Sequence, residues 1–133
     1  MNPMIPVPTP VSQPFWDGLR EDLIRVPRCQ DCGHWVFYPR RHCSACCSPR
    51  LAWQEISGRA SLASFTIARV PTLAEFASPS PQNLAIVTLE EGFNMNTALI
   101  GVEPQDMHIG MSLRPVFVPA GEGVGKRLLF TAA

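Results

Sequence analysis

The chain has 133 residues, 46% of them hydrophobic, and its eleven Lys plus Arg are balanced by eleven Asp plus Glu. That length suits one compact domain with a small appended module, and the apolar share is enough for a core. The neutral balance speaks against a dedicated nucleic-acid binder, which carries a basic surplus to displace counterions, and no apolar run approaches the roughly 18 residues of a membrane span.

Pro3, Pro6, Pro8 and Pro10 fall at near-alternate positions in 1–11. This spacing favours an extended, flexible tail, because proline supplies no N–H for a helix or ladder. The same stretch has neither a basic n-region nor a continuous apolar run, so it does not read as a signal peptide. The expected compartment is the cytoplasm, where five cysteines are better read as metal ligands than as disulfides.

Residues 12–24, SQPFWDGLREDLI, predict a short amphipathic helix. Ser12 is placed to cap it and Pro14 falls in the first turn. Phe15, Leu19 and Leu23 recur at helical spacing with Trp16 beside them, and Gly18 weakens the helix modestly. A helix this short must dock on this domain or on another chain to persist.

Residues 25–50 hold the densest chemistry. Cys29 and Cys32 form one C-x2-C pair, Cys43 and Cys46 a second, and ten residues separate the pairs. Two intervening residues let a tight turn aim both sulfurs at one ion. Four thiolates in a tetrahedron suit a structural Zn²⁺ with no open position for substrate; rubredoxin-type iron uses the same ligand set. Gly33 follows the first pair, where the turn needs a permissive backbone, and Cys47 stands at the corresponding place after the second. Cys46 is therefore the expected ligand and Cys47 the spare thiol, with a Cys43/Cys47 pairing as the alternative. His34 and His42 read as surface histidines. Trp35, Phe37 and Tyr38 read as packing for the ribbon hairpin, although aromatics beside Arg40 and Arg41 are also a base-stacking pattern.

From residue 51 the texture changes to short apolar runs broken by Gly, Pro and Asn. Strands are expected at 52–56, 59–70, 84–90, 94–102, 112–118 and 126–131, with Pro115 marking an edge or bulge. About five strands after residue 58 without a long helix predict a small barrel.

Together FWDGLRED (15–22), RCQDCG (28–33), FYPR (37–40), CSAC (43–46), WQEISGR (53–59) and VEPQDMHIGM (102–111) resemble one family. It joins an N-terminal helix, a rubredoxin-like zinc ribbon and a C-terminal OB-fold, was long filed as a domain of unknown function, and is associated with acyl-CoA metabolism. The resemblance spans about 12–131, and its one departure in the metal segment is Cys47 where glycine is usual. It implies a mainly β chain: tail 1–11, helix 12–24, zinc ribbon 25–50, and a five-stranded OB-fold barrel over 51–133. It also implies an accessory, non-catalytic subunit that partners a thiolase-like or hydratase-like enzyme in acyl transfer or in aldolase-type side-chain cleavage of CoA thioesters. Lipid or steroid metabolism is the implied setting.

Within that frame the loop 71–82 offers Leu73 and Phe76 as candidate contacts to an acyl chain or a partner. The glycine-rich segment 119–127 ends in Lys126 and Arg127, candidates for CoA phosphates, although the helix context of a phosphate loop is missing. No catalytic constellation emerges. Cys47 lacks an activating neighbour, Asp106 and His108 read as solvated residues of a polar turn, and Glu90-Glu91-Gly92 reads as a hairpin end with solvated carboxylates. Two other readings stay open: a nucleic-acid-binding zinc-ribbon OB module, and a free-standing acyl-CoA hydratase or hydrolase. The helix at 12–24 is also a candidate surface for homo-oligomers.

Overall fold

The structure is a computed structural model that describes residues 7–69, 82–121 and 125–133. Helix α1 (Gln13–Arg20) leads into strands β1 (Ile24–Cys29) and β2 (Leu51–Ile56), and then into β3 (Ala60–Ala68), β4 (Gln82–Leu89), β5 (Asn94–Leu99), β6 (Ser112–Gly121) and β7 (Gly125–Ala132). The expected fold class holds: among the described residues the protein is mainly β, with one α-helix, a four-cysteine ribbon and a closed five-stranded barrel.

The helix is shorter than the predicted 12–24, and its end has a clear cause. Leu23 donates its N–H to the Gly18 carbonyl at 2.9 Å and Asp22 donates to Leu19 at 3.1 Å, while Asp22 takes φ +60°. This is a Schellman closure with Asp22 in the left-handed position, where Asp is tolerated better than most residues. Ser12 does not cap the helix. It is fully buried, and its hydroxyl instead accepts the Thr9 N–H at 3.0 Å. Its own backbone is already in the helical region, with φ −94° and ψ −8°, so the side chain does not reach the free N–H groups of the first turn.

Strands β1 and β2 pair antiparallel from Ile24↔Ile56 to Cys29↔Leu51 and form a separate two-stranded sheet. The barrel runs in the order β3-β4-β5-β7-β6 and closes where β3 meets β6 at Ala60↔Leu113 and Ser61↔Ser112. One parallel bridge, Leu99↔Phe130, joins β5 to β7. Pro115 sits inside β6 opposite Phe130. Because β3 pairs only with Ser112 and Leu113, β6 is bonded along one side beyond them, and a missing N–H can be accommodated.

Leu62, Val87, Leu89, Met95, Leu99, Leu113 and Phe130 fill the barrel, and Met107 and Met111 are buried beside them. Phe15, Trp16, Leu19, Ile24, Val26 and Ile56 continue the same apolar cluster into the helix and the ribbon sheet. An aromatic chain carries the contact. Phe37 lies 5.6 Å from Phe15 and 6.1 Å from Phe93 between ring centres, and Trp35 lies 5.8 Å from Phe93. Phe93 belongs to the β4–β5 turn, so helix, ribbon and barrel meet at these rings. Gly58 makes the crossing between sheet and barrel. At φ +82°, a Cβ there would sit 2.8 Å from both Ile24 Cδ1 and Pro115 Cγ.

Candidate functional site

Two turns of the same design build the metal centre. In the first, Cys29 donates its N–H to the His34 carbonyl at 2.9 Å and Gly33 donates to Cys29 at 3.0 Å. In the second, Cys43 donates to Ser48 at 2.8 Å and Cys47 donates to Cys43 at 2.9 Å. Each leading sulfur accepts an amide two residues on: Asp31 N–H to Cys29 Sγ at 3.4 Å, and Ala45 N–H to Cys43 Sγ at 3.3 Å. The residue after each pair needs a left-handed backbone, and Gly33 (φ +77°) and Cys47 (φ +65°) both adopt it. Cys47 therefore occupies the position that favours glycine.

The four sulfurs of Cys29, Cys32, Cys43 and Cys46 lie within 4.8 Å of one another. Cys29 and Cys46 are 3.6 Å apart, as are Cys32 and Cys43. A disulfide needs about 2.0 Å, whereas a tetrahedron with metal–sulfur bonds of ~2.3 Å has an edge of about 3.8 Å. The donor set thus fits a tetrahedral zinc ion, which bound thiolates would hold with no position left for substrate. Cys29 and Cys43 are buried with Val36 against Leu51, while Cys32 and Cys46 face solvent. The Cys32 amide, and after it the Asp31 amide, hold the Cys29 thiol down to about 6 against burial, which pushes it up. Among the described residues the cluster contains cysteines alone, and His34 and His42 are exposed beside it.

The sequence alone did not reveal two supports. Asp31 of the first turn accepts hydrogen bonds from Ser48 and Arg50 beyond the second, which ties the two turns together beside the sulfur cluster. The Arg50 guanidinium, and then the Ser48 hydroxyl, keep the Asp31 carboxyl below its usual value. Arg28 stacks over Trp35 at 4.8 Å and donates to the Gly33 carbonyl at 3.0 Å, so this cation is engaged within the fold, whereas Arg40 and Arg41 are exposed.

The acidic hairpin end is also part of the framework. Glu90 accepts from Arg59 at 2.9 Å and from Ser57 at 3.1 Å, and Glu91 accepts the Ser57 N–H at 3.0 Å. The Arg59 guanidinium, with Ser57 after it, holds the Glu90 carboxyl below its usual value, which suits a fixed anion better than a proton donor. These residues brace the β2–β3 junction against the β4–β5 turn. Asp106 and His108 are both exposed, and His108 Nδ1 lies 3.3 Å from the Asp106 carbonyl oxygen, so the polar turn is as expected. Lys126 reaches Asp22 at 2.5 Å and fastens the end of α1 to β7, while Arg127 is exposed on the same strand. Leu73 and Phe76 lie outside the described residues.

Fold and site define a zinc-ribbon–OB-fold protein. Residues 16–52 match the family description "ChsH2, rubredoxin-like zinc ribbon domain", and residues 53–118 match "ChsH2, C-terminal OB-fold domain". A relative from Methanocaldococcus jannaschii, described as a DUF35 domain-containing scaffold protein, is 31% identical over 77% of this chain and 73% of its own length. A Pyrococcus furiosus protein of the same description is 33% identical over 82% of this chain and 79% of its own. The solved structure of the Ltp2-ChsH2(DUF35) aldolase includes a chain similar to this one, with a TM-score of 0.83 at 23% identity, covering 96% of this chain and 98% of that one. A DUF35-family protein of unknown function from Sulfolobus solfataricus superposes with a TM-score of 0.64 at 18% identity, covering 93% and 86%. This chain belongs to the DUF35 family, as the sequence motifs imply.

Proposed function

We propose that this chain is a scaffold subunit that carries no catalytic centre of its own and joins a thiolase-like or hydratase-like enzyme acting on acyl-CoA thioesters. The observation that carries the reading is its relatedness, over two thirds or more of both lengths, to proteins described as scaffolds. The aldolase whose structure contains a similar fold supports carbon–carbon bond cleavage as one reaction such a partner performs. The chemistry of the chain agrees. A four-thiolate zinc is coordinatively closed, so it supplies folding energy rather than a Lewis acid, and Glu90 and Glu91 are committed to Ser57 and Arg59.

In this reading the partner contributes the reacting groups, and this chain shapes the approach of the CoA-linked acyl chain. Leu73 and Phe76 would touch the acyl chain or the partner. Arg127 faces solvent beside Lys126, which makes it the more accessible cation for a CoA phosphate. The assembly would work in the cytoplasm. Among the described residues no helix is long and apolar enough to cross a membrane.

Tagged protein recovered from its native host tests the proposal. A thiolase-like, aldolase-like or hydratase-like enzyme in fixed ratio, with acyl-CoA turnover that depends on both chains, is the expected result. Recovery of the chain alone, or with nucleic acid, would sink it.

A further inference from the structure

Charged residues make up 17% of the chain, yet β3, β4 and β5 contain none. Their inner positions supply the barrel core through Leu62, Val87, Leu89 and Met95. The outer positions face solvent. Leu84 is 39% exposed and Ile86 38% exposed. Thr66 and Ala98 flank Leu84 across the strands, and Ser64 and Asn96 flank Ile86. Two aliphatic side chains thus stand in a field of small, neutral ones. A solvent-facing sheet ordinarily carries Lys and Glu, which keep it soluble and block pairing.

OB-folds bind nucleic acids and sugars on the face of their second and third strands. Here those strands are β4 and β5. A single-strand binder needs aromatics to stack bases and cations to track phosphates, and this face has neither. The cations of the barrel's strands lie on β6 and β7, as Arg114, Lys126 and Arg127.

We propose that the neutral outer face of β3, β4 and β5, centred on Leu84 and Ile86, is where the partner enzyme docks. This rests on the scaffold reading and adds a surface to it. The partner's matching patch is uncharged, with an apolar recess for the two aliphatic side chains. Size favours a larger partner over a second copy of this chain. Three strands about 4.8 Å apart and eight residues long give a face of roughly 400 Å². Two such faces bury about 800 Å² together, short of the ~1,200 Å² of a stable interface. An enzyme that contacts the rim as well as the face can exceed that.

The test uses the full chain and the purified partner enzyme identified by co-purification. Leu84→Asp combined with Ile86→Asp should weaken the dissociation constant by at least about tenfold, because it buries charge without a counterion. Zinc content and melting temperature should stay at wild-type values. Arg114→Ala, outside the face, should bind normally. If the double variant loses zinc or melts early, a benzoylphenylalanine photo-crosslinker at position 86 and another at 114 decide instead. Crosslinking to the partner from 86 supports the face, and crosslinking from 114 alone overturns it. Wild-type binding by a folded double variant overturns the surface and leaves the scaffold reading intact. A wild-type homodimer that the double variant disperses gives the face to a second copy and overturns the proposal. Wild-type protein that binds no enzyme overturns both.

Discussion

The ribbon and the barrel are held together by different forces. The barrel buries Leu62, Val87, Leu89, Met95, Leu99, Leu113 and Phe130 in one interior, and apolar burial is enough to organise it. The apolar cluster at the metal end of the ribbon is small: Cys29, Val36 and Cys43, with Leu51 against them. Such a segment lacks the apolar area to offset the entropy of ordering its chain, and metal coordination supplies the difference. The contrast teaches that one chain can contain a region folded by its core and a region folded by its ligand, joined at Phe15, Phe37 and Phe93.

The sharpest way to break the contrast is to remove a ligand. Cys43→Ser should reduce bound zinc from one ion per chain to none by elemental analysis. Hydrogen exchange should then become fast across 29–50 while β3–β7 stay protected. Zinc binding in small structural sites is worth on the order of 10 kcal/mol, so this is the largest effect expected. If the barrel unfolds as well, the two regions are one cooperative unit.

Acid should separate them more gently. Without metal the four sulfurs do not shift together: the Cys32 and Asp31 amides hold the Cys29 thiol down to about 6, while Cys46, crowded by the Cys32 and Cys29 sulfurs, is pushed up to about 12. A bound zinc ion needs all four sulfurs as thiolates, so acid works against the ribbon by protonating them. Metal retention should follow the same direction, because protons compete for every ligand. A zinc-release titration with a chromogenic chelator should show loss below about pH 6 while the barrel's circular dichroism persists.

Gly58→Ala attacks the junction. It places a Cβ 2.8 Å from Ile24 and Pro115 at φ +82°, and should cost about 2–4 kcal/mol in chemical denaturation with zinc retained. Phe93→Ala removes the ring that Trp35 and Phe37 pack against. Because Phe93 is only partly buried, about 2 kcal/mol is expected, below the ~3–5 kcal/mol of a fully buried aromatic.

The smallest effect is a gain. Cys47→Gly relieves a left-handed backbone at φ +65° and should stabilise the ribbon by up to about 1 kcal/mol, since the glycine's own entropy offsets part of the relief. It should still bind one zinc ion, which separates Cys47 from the ligand Cys46.

Much of the site was legible in one dimension because its chemistry is local. Two C-x2-C pairs with a left-handed position after each specify a thiolate cage by spacing alone, and even the departure at Cys47 was visible as the place where glycine is usual. The barrel was legible as a set of strands, since alternating apolar runs ended by glycine record the two faces of a sheet. The helix end was misjudged by four residues because Phe15, Leu19 and Leu23 keep helical spacing past the point where Asp22 closes the last turn. The Ser12 cap failed because a capping residue type does not dictate the backbone angles that make it one.

Composition, spacing and motif order by themselves pointed to a four-cysteine metal site, the mainly β class and the family, and the structure then gathered Cys46 rather than Cys47 into the cluster. Only the tertiary structure decided that β2 pairs with β1 in a sheet separate from the barrel, that Asp31 joins Ser48 and Arg50, that Glu90 and Glu91 brace Ser57, and that Lys126 holds Asp22. The division has a physical reason. Ligand spacing and strand periodicity are set by bonds between near neighbours and leave a mark in sequence. Salt bridges and strand partners join residues up to 104 positions apart, and nothing at either position records the other until the chain has closed on itself.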